Sequence, residues 1–313
     1  MTDTAARIAA APHTEQRAGI IAGFTAYFVW GLLTIFWKQL HHFDAFELIG
    51  WRITASAVVM AIVMTAKRQW GHLRVLLTNR ALLARVAAAA VLLTVNWTSY
   101  VWAVVHGRVL ETALGYFIAP LGTVALGVIV LKETVRPAQV FALVMAVASV
   151  VVLTISYGQV PWIALALALS WTAYGYIKKH LPLTPVESMA AESFVLVIPA
   201  AALAVALAGR ADSIPNSASH AELGYALLTG LATVLPLTMF AYAAQRVPLT
   251  LIGPMQYIVP SMNFVIGWLM YDEAMPAVRF IGFALVWIGL LVFTTDSVMR
   301  LRRTTSQSAA MPG

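Results

Sequence analysis

The sequence predicts an all-α polytopic membrane protein with ten transmembrane helices in two inverted five-helix repeats. Three observations predict this fold class: an apolar composition, ten apolar segments of spanning length, and a residue pattern that recurs 140 positions later. The chain has 313 residues, a mean hydropathy of +0.82 and 61% apolar residues, against roughly 45–50% in soluble domains. Charged residues make up only 11%. This composition is typical of an integral membrane protein.

Several classes of chemistry are excluded by what the sequence lacks. It contains no cysteine, so disulfides, thiolate metal sites and cysteine nucleophiles are ruled out. It has no phosphate loop for ATP, no G-x-S-x-G elbow and no H-E-x-x-H pair. We therefore expect no enzyme activity, no cofactor and no metal. The first 18 residues hold no apolar run, so we expect no cleaved signal peptide.

Hydropathy and turn signals place the ten helices in order along the chain. They lie near residues 20–40, 45–65, 82–104, 109–131, 137–155, 160–178, 186–208, 222–245, 250–271 and 277–297. The predicted organisation is a cytoplasmic tail (1–18), a first repeat (19–156), a second repeat (157–297) and a cytoplasmic C-terminal tail (298–313).

Identical residues recur at an offset of 140 positions, which indicates an internal duplication. The pairs are Lys38 and Lys178, Glu47 and Glu187, Ile118 and Ile258, Pro120 and Pro260, Gly127 and Gly267, and Glu133 and Glu273. Five helices per repeat turn the second repeat upside down in the membrane. Inverted repeats favour alternating access around a central site, and therefore transport.

The distribution of Lys and Arg predicts the orientation. With both termini inside, fifteen of these residues lie on the inner side, four on the outer side, and Arg52 within a span. This positive-inside bias predicts an N-in, C-in protein of a bacterial inner membrane. It also accounts for the net charge of +7, so we expect lipid rather than nucleic acid as the partner.

Two ionisable residues occupy matching depths in the repeats, Arg52 in span 2 and Glu192 in span 7. A charge at such a depth costs about 2.5–3.5 kcal/mol on insertion scales, so each should face a cavity or an opposite charge. We expect an Arg52–Glu192 pair across the pseudo-twofold axis. Both residues are candidates for binding substrate or a proton, and a purely structural ion pair is the alternative.

Polar and aromatic residues in spans 3 and 4 are further candidates for a substrate site. Asn96 and Tyr100 are four residues apart and share a helix face; packing and binding are equally compatible with Asn96. Glu111 opens span 4, where it could bind substrate or complement the helix dipole. Tyr116 follows one turn later.

Prolines at matching positions, Pro120 and Pro260, predict a conformational hinge in each repeat. A proline inside a span frees the carbonyl four residues back, here that of Tyr116 or Gln256. A freed carbonyl is tolerated only beside protein or a cavity. Gln256 and the adjacent Tyr257 are therefore also candidates for the central site.

The motifs resemble a known family. Ala26-Tyr27-Phe28-Val29-Trp30-Gly31, the stretch from Asn96 to Pro120, and Gln256-Tyr257-Ile258 before Pro260 are similar to the RarD-type branch of the EamA family, in the drug/metabolite transporter superfamily. The resemblance covers roughly residues 18–297. It implies ten helices in inverted repeats, an inner-membrane location and export of small metabolites or drugs. Where relatives often carry His before the span-2 arginine, this chain has Trp51.

The predicted function is secondary active transport of a small organic solute, coupled to protons. The alternative is a membrane-embedded binding or sensor protein without transport activity. The sequence leaves open the solute, the direction of flux, and the choice between a monomer and a homodimer.

Overall fold

The structure, a computed structural model, describes residues 13–71, 73, 78–130, 132, 136–244, 246–247 and 255–309. Its main helices are α1 (His13–Lys38), α2 (Ala45–Ala66), α3 (Arg80–Val105), α4 (Val109–Ile129), α5 (Pro137–Tyr157), α6 (Trp162–Lys179), α7 (Pro185–Leu207), α8 (His220–Ala244), α9 (Ile258–Val265) and α10 (Ala277–Ala309). A π-helical turn, Ile266–Met270, continues α9, and a helical turn, Ile214–Ser217, precedes α8. No strand occurs within the described ranges.

Within the described part of the chain, eight helices are long and apolar enough to cross a membrane, namely α1 to α5, α7, α8 and α10. α6 does not belong to this group, and Ile258–Met270 is a shorter apolar helix. Large apolar side chains such as Ile62 (64% exposed) and Ile198 (77% exposed) lie on the outside of the bundle. Lipid, rather than water, is the solvent that suits such a surface. The chain is therefore a polytopic helical membrane protein.

Local sequence signals define the ends of several helices. The side chain of Asp44 accepts hydrogen bonds from the first backbone amides of α2, at Phe46 and Glu47. Thr184 and Glu187 form a reciprocal capping box at the start of α7. Gly158 ends α5 with a φ of 66°, a left-handed conformation that glycine adopts without steric cost.

Small residues allow the helices to approach closely. A Cβ added to Gly230 in α8 would collide with the carbonyl group of Ala55 in α2. A Cβ on Gly115 in α4 would lie 2.9 Å from the carbonyl oxygen of Ala164 in α6. Contacts between small residues commonly drive helix association in membranes, where the hydrophobic effect adds little.

The packing surrounds one central region with helices from distant parts of the chain. α8 packs on α1 and α2, α6 packs on α3 and α4, and α9 packs on α1 and α4. α2 also packs on α7, and α5 packs on α10. The predicted segments overlap these helices, while Glu133 of the repeat pattern lies outside the described residues.

Candidate functional site

A cavity of about 240 Å³ lies between α1, α2, α3, α4, α6, α8 and α9. Ligand pockets for drug-sized molecules have volumes of roughly 300–1,000 Å³, so this cavity suits a smaller solute. Most of its lining is aromatic or aliphatic. The lining residues are Tyr27, Trp30, Leu33, Arg52, Leu93, Asn96, Trp97, Tyr100, Tyr116, Ala119, Pro120, Trp171, Tyr174, Leu237, Phe240, Gln256, Val259 and Pro260.

Among the described residues, Arg52 supplies the only charge in this lining. Its residue surface is 4% exposed, and its Nε donates to the hydroxyl of Thr233 in α8 at 3.0 Å. The guanidinium carbon lies 4.0 Å from the centre of one ring of Trp97 and 5.3 Å from that of Trp37. Cation–π contacts of this kind partly replace water around a buried cation. Sequence reasoning did not single out these two tryptophans or Thr233 as partners of Arg52.

The expected Arg52–Glu192 ion pair is wrong. Glu192, which is 2% exposed, instead accepts from the Nζ of Lys178 at 2.7 Å. Ser188 donates to the same carboxylate at 2.9 Å and Tyr174 at 3.1 Å. Lys178 lies on the neighbouring helix α6 and reaches Glu192 directly, so matching depth in the two repeats does not imply contact. Glu192 is absent from the cavity lining, but Tyr174 belongs to it.

Asn96 lines the cavity, but both the nitrogen and the oxygen of its side-chain amide already form hydrogen bonds within the protein. Its Nδ2 donates to the carbonyl of Leu167 at 3.1 Å and to the hydroxyl of Ser170 at 3.0 Å, both in α6. Its Oδ1 accepts from the hydroxyl of Tyr116 at 3.2 Å. Asn96 therefore joins α3 to α6 and orients Tyr116 at the cavity wall.

Tyr100 belongs to a buried chain of hydrogen bonds that joins four helices. Its hydroxyl lies 2.7 Å from the Oγ1 of Thr34, which donates to the Oδ1 of Asn263 at 2.7 Å. Since Thr34 has one proton, Tyr100 is the donor in the first bond. The Nδ2 of Asn263 then donates to Thr112 at 3.1 Å. We call Thr34, Tyr100, Asn263 and Thr112 the Thr34 network. Thr34, Thr112 and Asn263 were missed by sequence reasoning, although an asparagine within an apolar span is a usable signal.

The other predicted binding residues divide into two groups. Gln256 lines the cavity. Glu111 does not, and it accepts from Arg108 at 2.6 Å near the start of α4. Tyr257 stacks on Phe117 with ring centres 6.4 Å apart and is also absent from the lining. The cavity thus brings together Arg52, Asn96, Tyr100, Tyr116 and Gln256.

Both prolines line the cavity, in different helical settings. Pro120 lies inside α4, which continues to Ile129. Pro260 lies in the first turn of α9, which begins at Ile258. A turn at Gln256 and Tyr257 separates Pro260 from the helical residue Met255, and residues 248–254 lie outside the described part of the chain, so the predicted hinge at Pro260 stays a prediction. A first-turn amide has no helical acceptor, so proline costs little at that position.

Within the described residues, no group of three His, Cys, Asp or Glu side chains is close enough to hold a metal ion. The polar groups of the lining that can meet a ligand include the terminal nitrogens of Arg52 and the amide of Gln256. No protein hydrogen bond to either group is found within the described chain. The cavity can therefore hold a small molecule by charge, by aromatic contact and by shape. The fold and this cavity define a helical membrane protein with a solute-sized internal site.

Known proteins match the chain over nearly its whole length. The model of the EamA-like transporter family matches residues 17–155 and again residues 160–295. The protein RarD of Streptomyces exfoliatus is 43% identical over 95% of both chains. An uncharacterized transporter, YojE, of Bacillus subtilis (strain 168) is 36% identical over 94% of this chain and 99% of its own. RarD of Escherichia coli (strain K12) is 33% identical over 93% of this chain and 98% of its own.

The chain belongs to the RarD-type branch of the EamA-like transporter family. It is accordingly a multi-pass protein of the bacterial inner membrane and a membrane transporter of the drug/metabolite type. One protein of known crystal structure aligns with a TM-score of 0.57 at 20% identity, over 90% of this chain and 98% of that protein. At that identity the alignment supports the fold alone.

Proposed function

We propose that this protein is a secondary active transporter that moves a small organic metabolite or drug by alternating access, coupled to protons and without enzymatic activity. The observation that carries the proposal is Arg52, a buried cation that has no ion pair with any described residue, in a cavity between helices from both halves of the chain. An unpaired charge at such a depth generally marks a substrate or ion pathway.

The proposed architecture is ten transmembrane helices in two inverted repeats, residues 19–156 and 157–297. The double match of the family model supports these two units. Helix packing also supports them, because α2, α4 and α5 each contact the helix five positions later, α7, α9 and α10. The contacts of α8 with α1 likewise have a counterpart in those of α3 with α6. A pseudo-twofold axis between the repeats produces such matching pairs of helix contacts.

We place both termini inside, on the basis of the Lys and Arg distribution. The outer ends of the helices then carry Lys38, Arg108, Arg210 and Arg279. In this orientation the Thr34 network crosses the outer side of the cavity, while Tyr174, Phe240 and Gln256 extend the lining towards the inner side. The Thr34 network would then act as an outer gate that opens when the transporter turns outward.

We assign proton coupling to Glu192. Tyr174 lines the cavity and donates to the Oε2 of Glu192, and Lys178 binds the Oε1. Protonation of Glu192 would remove its charge pairing with Lys178 and release the link between α6 and α7. Tyr174 would transmit this change to the cavity wall.

Proteoliposomes under an imposed pH gradient test the proposal. Wild-type protein should move at least one solute of a broad metabolite panel, and collapse of the gradient should stop accumulation. Glu192→Gln should fold and exchange solute but lose the gradient dependence, whereas Glu15→Gln, an exposed change of the same type, should behave as wild type. Failure to move any solute would contradict the proposal. Binding without flux would instead favour the alternative, a membrane-embedded binding or sensor protein.

A further inference from the structure

We infer that the solute is a small organic carboxylate with a flat, apolar body, held through its carboxylate by Arg52. This inference rests on the proposed function and names the substrate class for the same cavity. It combines three features of the site: its charge, the donors that remain open on Arg52, and the composition of the walls.

The charge of the cavity favours a monoanion. Of the described lining residues only Arg52 is ionised, and the described chain contains no carboxylate in an ion pair with it. A bound monoanion would neutralise the site. A phosphate ester, with nearly two negative charges, would leave an excess of charge in a water-poor space. A cation would add to the positive charge that is already present.

The donors of Arg52 are arranged for a carboxylate. Thr233 takes the Nε proton, which fixes one side of the guanidinium, and Trp97 packs at 4.0 Å from its central carbon. No protein group in the described chain accepts from the terminal nitrogens, and neither of them is among the fully buried polar atoms without a partner. Two accessible N–H groups on a fixed plane match the two oxygens of a carboxylate.

The walls of the cavity fit a flat, apolar body, and their described residues provide no carboxylate that could pair with an ammonium group. Trp30, Trp171 and Phe240 contribute aromatic surface, and Tyr116 is tied to Asn96 by its hydroxyl. The described residues of the lining include no Asp or Glu. A zwitterionic amino acid would therefore gain no carboxylate for its ammonium group, and contacts with the Gln256 amide oxygen and the aromatic rings would replace only part of that group's hydration. We therefore expect a net anion to bind better than the corresponding zwitterion.

Binding to purified full-length protein in nanodiscs, measured by titration calorimetry, tests the inference with four related probes. These are phenylacetate, neutral phenylacetamide, zwitterionic phenylalanine and cationic phenethylamine. Phenylacetate should bind about tenfold or more tightly than phenylacetamide, since hydrogen bonds between charged groups are stronger than those of a neutral amide and a tenfold preference corresponds to about 1.4 kcal/mol. Arg52→Gln should erase this preference, and Arg52→Lys should reduce it because lysine has no fork. Arg85→Gln, an exposed change of the same type, should retain it.

Equal binding of acid and amide by wild type, an unchanged preference in Arg52→Gln, or no binding of any probe would each overturn the inference. If Arg52→Gln does not fold, Arg52→Lys decides the matter, because it keeps the charge and should still selectively weaken the binding of phenylacetate. Flux measurements separate this inference from the proposed function. Acid-selective binding without flux would refute transport alone, whereas equal flux of acid and amide would refute the substrate class alone.

Discussion

Removing Lys178 tests how the buried carboxylate of Glu192 is stabilised. The Glu192 side chain is 2% exposed and that of Lys178 is 25% exposed, with 2.7 Å between Nζ and Oε1. Loss of one partner of a buried pair costs about 3–5 kcal/mol, because the other charge is left uncompensated. Partial exposure of Lys178 and the remaining bonds from Ser188 and Tyr174 reduce this cost. We expect Lys178→Met to destabilise the protein by about 2–4 kcal/mol.

Unfolding in mixed detergent micelles measures this free energy. Glu192→Gln should rescue much of the loss in Lys178→Met, because it removes the stranded charge and keeps an acceptor for Tyr174. A double-mutant cycle between Lys178 and Glu192 should then show strong coupling, whereas a cycle between Arg52 and Glu192 should show almost none. A loss below about 1 kcal/mol, the range of exposed pairs, would refute the buried-pair explanation. Strong coupling to Arg52 would refute the observed choice of partner.

Three further perturbations have defined outcomes. Thr34→Val should destabilise the protein by about 1–3 kcal/mol, because it leaves buried polar groups of the Thr34 network unpaired. It should also make vesicles leak solute. A wild-type free energy of unfolding in micelles would contradict the network. Gly230→Val should lower the folded yield, measured by size-exclusion chromatography, because its side chain would collide with Ala55; a wild-type yield would contradict that packing. Hydrogen bonding to Arg210 holds the pKa of Asp212 below its usual range. The pair therefore stabilises the fold at pH values above the unfolded-state pKa of Asp212, and this stabilisation is lost as the pH falls through the folded-state pKa. Arg210→Gln should raise that pKa in an NMR titration, and an unchanged pKa would contradict the contact.

The helices could be predicted from the sequence because apolar length and breaking residues act locally. α2, α4 and α5 begin at or next to their predicted first residues, where Asp44, Arg108 and Pro137 interrupt the apolar pattern. The apolar run from 250 to 271 gives no sign of the turn at Gln256 and Tyr257 that precedes α9. The described helix starts at Ile258.

The site was predicted less completely because side-chain partners depend on tertiary packing. Arg52 could be identified from its charge alone, since an ionised group within an apolar span is costly. Its partners could not, because the indole of Trp97 and the hydroxyl of Thr233 carry no charge signal in the sequence. Equal depth suggested Glu192 as the partner, but side-chain direction around each helix determines contact, and Lys178 lies closer to that carboxylate.

The most direct test of alternating access is labelling of a single cysteine in the cavity. The chain has no native cysteine, so Ala119→Cys, at a lining position that is 3% exposed, gives an unambiguous target. Ile198→Cys, on the lipid-facing surface, is the control and should remain unlabelled by a water-soluble maleimide. In oriented vesicles, a membrane-impermeant maleimide should label Ala119→Cys from the inner side and, more slowly, from the outer side. Labelling from one side only, or from neither, would contradict a cavity that opens alternately across the membrane.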